Sequence, residues 1–202
     1  MKKLLLSLAV LALVISPIPT KAAVTASASS LVTSPIFAKA SSSQIGLFSL
    51  TLAQTASETL SSVAVTLNNN GTSAATGGDL AQLSVYKDNG DSVFNSSTDT
   101  LAGSQSTVNI GSPTIITTAS NNAIDGGKFF ISLATSPSWS SSTSPIDSIT
   151  ASLAMDGVVT SANSPVLTAT TTSTITADTM GPVVTSAVAQ NTGGGVVKNA
   201  GD

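Results

Sequence analysis

Apolar residues in this chain recur at every second position, in short runs, and turn formers separate the runs. Phe48, Leu50 and Leu52 alternate with Ser49 and Thr51, Val63, Val65 and Leu67 alternate with Ala64 and Thr66, and Leu83 and Val85 flank Ser84. Further along, Phe129, Ile131 and Leu133 alternate with Phe130, Ser132 and Ala134, while Ile149, Ala151, Leu153 and Met155 alternate with Thr150, Ser152 and Ala154. Successive side chains of a strand point to opposite faces, so a period of two describes strands with one face buried and one face wet. Val108 to Ile110 and Ile115 to Thr117 are shorter candidates, and Val166 to Thr176 reads as a long Thr-rich strand.

Turn sequences punctuate these runs: Asn68-Asn69-Asn70-Gly71, Gly77-Gly78-Asp79, Asp88-Asn89-Gly90-Asp91, Asp125-Gly126-Gly127 and Asp156-Gly157. No window beyond the N-terminal segment carries an apolar repeat of helical period. Half-wet strands belong to antiparallel sheets, because parallel ones are covered on both faces. The expected fold is therefore all-β, an antiparallel two-sheet β-sandwich of Ig-like or jelly-roll type, with eight or nine short strands between residues 31 and 177. Its core should hold Phe48, Leu50, Leu52, Val63, Val65, Leu67, Leu83, Val85, Ile131, Leu133, Ile149 and Leu153. Strand order does not follow from the pattern.

Composition supports this reading and narrows the function. Only 8% of the 202 residues are charged, against about a quarter in an ordinary soluble domain. Ser and Thr take the polar positions, and a chain of Ser, Thr, Val and Gly forms strands and turns better than helices. All seven basic residues are Lys, and three of them, Lys2, Lys3 and Lys21, lie in the first 21 residues. Without those three, four Lys against ten acids give a net charge of −6. Nucleic-acid binding needs a basic stripe that displaces counterions, and this chain has none.

Residues 1–23 read as a secretory signal peptide, expected to be helical. Lys2 and Lys3 form a positive start, Leu4 to Ile15 an apolar stretch, Pro17 and Pro19 a break, and Ala22 and Ala23 a small-residue cleavage site. The apolar stretch is shorter than the roughly 20 residues that span a bilayer. The only membrane contact expected is through this signal, and the mature chain is expected to be secreted or displayed at the cell surface. Residues 24–30 have the composition of a linker.

Catalysis is poorly supplied. With neither His nor Cys in the sequence, Ser-His and Cys-His nucleophile pairs and the usual zinc sites cannot be assembled. Most of the acids stand in turns beside Gly or Asn, and aromatics make up 3% of the chain, a poor endowment for a sugar-cleaving cleft. The dense polar cluster is Asp88-Asn89-Gly90-Asp91-Ser92-Val93-Phe94-Asn95, closed by Asp99. Calcium takes six to eight oxygens from carboxylates, amide carbonyls and backbone. Asp88, Asp91, Asn95 and Asp99, with Asn89 or Gly90 and the Val93 carbonyl, offer them at short spacing. The same residues also make an ordinary hairpin loop. Trp139, in the polar stretch Ser136 to Ser141, either folds back over the end of the core or anchors a ligand. Asn70-Gly71-Thr72 and Asn95-Ser96-Ser97 match the acceptor pattern for N-glycosylation.

Two stretches carry a resemblance. From Leu60 to Asp99 a Val-x-Val-x-Leu strand leads through Gly77-Gly78-Asp79-Leu80 to Leu83-Ser84-Val85-Tyr86-Lys87-Asp88, the Asp/Asn/Gly loop and Asp99-Thr100-Leu101. This is similar to sandwich domains of large bacterial surface and S-layer-like proteins, and the loop resembles their calcium loops and those of dockerins. It departs from the EF-hand pattern in spacing, in Ser92 and in lacking a closing Glu. Asp178-Thr179-Met180-Gly181-Pro182-Val183-Val184 resembles the opening of an Ig-like repeat in such arrays. The resemblance implies that residues 178–202 are a linker and the truncated start of a second Ig-like domain, in an N-terminal fragment of a longer protein. It implies a structural or adhesive surface module and no reaction. Partners would be other surface proteins, extracellular matrix or glycan. A carbohydrate- or matrix-binding module, or an accessory domain of a larger secreted hydrolase, is the alternative.

Overall fold

A computed structural model describes residues 24–177 except 33–35, 39–40, 42–43, 54–56, 71–74, 121, 125–126, 140–147 and 168–169. The expected signal peptide, residues 1–23, and the expected start of a second domain, residues 178–202, lie outside the described residues. Ten strands make two five-stranded sheets. Sheet one runs β1 (Thr25–Ser30), β3 (Ile45–Ala53), β8 (Lys128–Thr135), β5 (Leu80–Lys87), β6 (Thr100–Gln105). Sheet two runs β2 (Ile36–Ala38), β10 (Thr171–Ala177), β9 (Ser148–Thr160), β4 (Leu60–Asn69), β7 (Pro113–Thr117). Every pairing is antiparallel except that of β2 with β10. The fold is the all-β two-sheet sandwich expected from the alternation.

All twelve residues expected in the core are fully buried. They face one another across the two sheets because each strand presents its odd or its even set inward. Trp139 joins them at 2% exposure, and its indole N–H donates to the Ala38 carbonyl at 2.9 Å. It therefore caps the core from the loop after β8 and is not a ligand anchor. The two sheets close on each other at both sides. On one side the Ser30 and Ser173 hydroxyls meet at 2.9 Å and Ala26 bridges Leu167. On the other, β6 crosses β7 so closely that a Cβ on Gly103 would lie 2.2 Å from the Thr117 carbonyl oxygen, which leaves glycine as the residue that fits.

Several expectations need correction. Residues 24–30 are not a linker: Thr25–Ser30 is edge strand β1, in register with Ala53 to Phe48 of β3. Small Ser and Ala side chains look like a linker in isolation, yet an edge strand needs only backbone partners and Ala26 facing inward. Asp156-Gly157 is not a turn between strands but a bulge within β9, where the register with β4 slips between Val63 and Val65. That bulge turns Met155 outward, 47% exposed, although the alternation places it inward. Phe130 and Ser132, on the outer face of sheet one, are fully buried rather than wet. The Thr-rich strand begins only at Thr171, with Leu167 making an isolated bridge, and of Val108 to Ile110 only Ile110 bridges, to Leu67.

Candidate metal centre

Strands β5 and β6 are neighbours joined by residues 88–99, the acidic stretch singled out above. Strand β5 delivers Asp88 at its end, where the Asp88 N–H donates to the Lys128 carbonyl at 3.0 Å and continues the ladder to β8. Asp99 stands just before β6 and is 7% exposed. Between them the chain folds on its own carboxylates. Asp88 accepts from the N–H of Gly90 at 3.1 Å and from that of Ser92 at 3.1 and 3.2 Å. Asp91 accepts from Val93 N–H at 2.8 Å. Asp99 accepts from Asn89 N–H at 3.2 Å through Oδ1 and from Asn95 N–H at 2.8 Å through Oδ2. Five backbone N–H groups thus offset the clustering of three negative charges. Gly90 and Ser92 take left-handed backbone angles, φ 109° and 63°, to allow it. Ser92 does so at a cost glycine would not incur.

The outcome is convergence. One oxygen from each of Asp88, Asp91 and Asp99 lies within 4.8 Å of the others. Oxygens bound to one calcium ion at roughly 2.4 Å are at most about twice that apart, so the spacing fits a shared divalent cation. The Asn95 side chain is engaged within the loop, where its Oδ1 accepts from the Ser97 N–H at 3.0 Å. The three aspartates of the predicted set are brought together.

What the alternation missed is how the loop is held. Phe94 folds back onto the outer face of sheet one, its ring centroid 5.6 Å from both Tyr86 and Phe130. Gly46 of β3 makes room: a Cβ there would sit 2.8 Å from the Phe94 ring. This second apolar cluster explains why Phe130 and Tyr86 are buried on a face that alternation makes wet. Burial pushes the Tyr86 hydroxyl above its ordinary pKa, and a hydrogen bond with Ser84 pulls the other way. Beside it, Ser132 donates to Gln44 Oε1 at 2.6 Å, and Gln82 Oε1 accepts from Gln44 at 3.2 Å and Ser84 at 3.1 Å. The signal for this cluster was a pair, Phe129-Phe130, in which one ring must face outward.

A second feature went unread. Glu58, the one glutamate in the chain, is 6% exposed. Its oxygens accept from the Thr160 hydroxyl and the Asn163 amide. A buried carboxylate with both oxygens satisfied is a structural pin, here tying the start of β4 to the end of β9. Of the described aromatics, Phe48, Phe129, Phe130, Tyr86 and Trp139 are buried and Phe94 is half-buried. No protein-family model and no curated protein matches the chain.

Proposed function

We propose that this chain is a non-catalytic structural or adhesive module of the cell exterior, exported by its N-terminal segment, and that Asp88, Asp91 and Asp99 hold a calcium ion that stiffens its longest hairpin loop. The observation that carries the choice of class is the fate of the aromatic side chains. A glycan-binding face needs rings laid flat at the surface, and the described rings are spent on the core and on seating the 88–99 loop. That favours contact with other surface proteins over stacking on sugars. With no His or Cys in the sequence, no Ser-His or Cys-His nucleophile pair can form, which supports a non-catalytic module. Convergence of three carboxylates on a preformed loop supports the cation. The resemblance to S-layer-like and adhesin-like sandwich repeats agrees with this role.

Beads coated with the purified mature chain test it. They are expected to bind envelope protein from the source cells in millimolar calcium and to pass through immobilised polysaccharides unretained. Retention on a polysaccharide, reversed by the free sugar, would favour the carbohydrate-binding alternative and sink the aromatic argument.

A further inference from the structure

We propose that Asn95 is an N-glycosylation site, the one of the two acceptor sequences in the chain whose amide nitrogen the fold leaves uncommitted. Asn95, Ser96 and Ser97 are all exposed. The Asn95 carbonyl accepts from the N–H groups of Thr98 at 3.0 Å and Asp99 at 2.8 Å, and its own N–H donates to Asp99. The acceptor therefore stands on a fixed turn. Its side-chain Oδ1 accepts from the Ser97 N–H at 3.0 Å, which settles which end of the amide faces the backbone and leaves Nδ2 uncommitted. Among the described residues neither Asn95 Nδ2 nor the Ser97 hydroxyl has a hydrogen-bond partner. Those are the two groups of the Asn-x-Ser pattern a transferase must reach.

Asn70 differs. Its Nδ2 donates to the Ser148 hydroxyl at 3.3 Å and its backbone N–H to the Ser148 carbonyl at 3.0 Å. Asn70 is exposed as well, but its amide nitrogen is already engaged with β9, so a sugar there has to share that nitrogen with the Ser148 contact. The donor by chemical class is a sugar carried on a polyisoprenyl phosphate or pyrophosphate. Nδ2 of Asn95 attacks the anomeric carbon and a C–N bond forms. The anomeric C–O bond to phosphate breaks, the lipid phosphate leaves, and the displaced amide proton goes to a base of the transferase. No oxidant or reductant is needed.

The inference rests on the export proposed above, because lipid-linked sugars meet only chains that leave the cytoplasm. Trypsin separates the two sites, since lysines stand at 39, 87 and 128: one peptide spans 40–87 with Asn70 and the next 88–128 with Asn95. Mass spectrometry of the protein isolated from its source cells is expected to show sugar increments on 88–128 and none on 40–87. Enzymatic release in heavy-oxygen water should leave labelled Asp at position 95. Ser97→Ala should abolish the increment and Ser97→Thr should keep it. An unmodified 88–128 peptide, an increment on 40–87 alone, or one that survives Ser97→Ala would overturn the proposal. A processed N-terminus with an unmodified 88–128 peptide rejects the glycosylation and leaves the export standing, whereas an intact Met1 rejects the export.

Discussion

Replacing Phe94 with Ala removes the ring that seats the 88–99 loop on sheet one. Truncating a fully buried Phe costs about 3–5 kcal/mol. Phe94 is half-buried, so roughly half of that applies. The two aromatic contacts at 5.6 Å add about 0.5–1.5 kcal/mol each beyond area, partly counted already. A loss of about 2–4 kcal/mol follows, and at ~2–4 °C per kcal/mol for a domain of this size the melting temperature should fall by roughly 4–16 °C. The same variant carries an internal reporter, because Tyr86 is the only tyrosine in the chain. Its hydroxyl is held neutral by burial, so its folded pKa stands above the unfolded value near 10. A raised folded pKa means the native state keeps a proton that the unfolded state releases. Stability contributed this way is complete below pH ~10 and is lost as pH rises through the folded pKa. Ultraviolet titration of tyrosinate should therefore give a midpoint above ~10 in the parent and one moved back toward it in Phe94→Ala. A variant with unchanged melting and an unchanged Tyr86 midpoint would refute the docking of the loop.

Calcium at millimolar concentration should raise the melting temperature by a few degrees, from about 1.4–2.7 kcal/mol at ten- to a hundredfold excess over Kd; EDTA should reverse it. Asp91→Asn keeps an acceptor for the Val93 N–H and removes the charge, so it should fold and lose the calcium response; a full response in that variant would contradict the site. Gly103→Ala forces a Cβ to within 2.2 Å of a backbone oxygen that cannot swing away, and should cost about 3 kcal/mol or more by denaturant unfolding; a neutral effect would contradict the β6–β7 crossing. Trp139, the sole tryptophan, should emit as a buried indole in the native protein and shift to the red on unfolding. A solvent-exposed native spectrum would contradict its place in the core.

How far the sequence reaches depends on which force fixes each feature. Core positions were legible because strand geometry and water act on every residue alike: Leu50 faces inward wherever its strand lies in the sheet. Strand order was not, because only β5–β6 and β9–β10 are sequence neighbours paired in one sheet, and no local pattern marks a chain that crosses between sheets. Strand β1 was hidden because its pairing is carried by backbone rather than by side chains. Met155 was misplaced by a bulge, which a strict period of two cannot contain. At the candidate site, Asp88, Asp91 and Asp99 were legible as a group from composition and spacing. That Phe94 rather than the acids seats the loop depends on Gly46 of β3 and Phe130 of β8, distant in sequence, as well as on Tyr86 of β5.

Membrane-impermeant labelling of intact source cells, followed by N-terminal sequencing of the labelled chain, tests most directly whether this sandwich is a module of the cell exterior. The predicted result is a labelled protein that begins at Ala23 or Val24 without cell lysis. A chain that keeps Met1 and takes label only after lysis would contradict it.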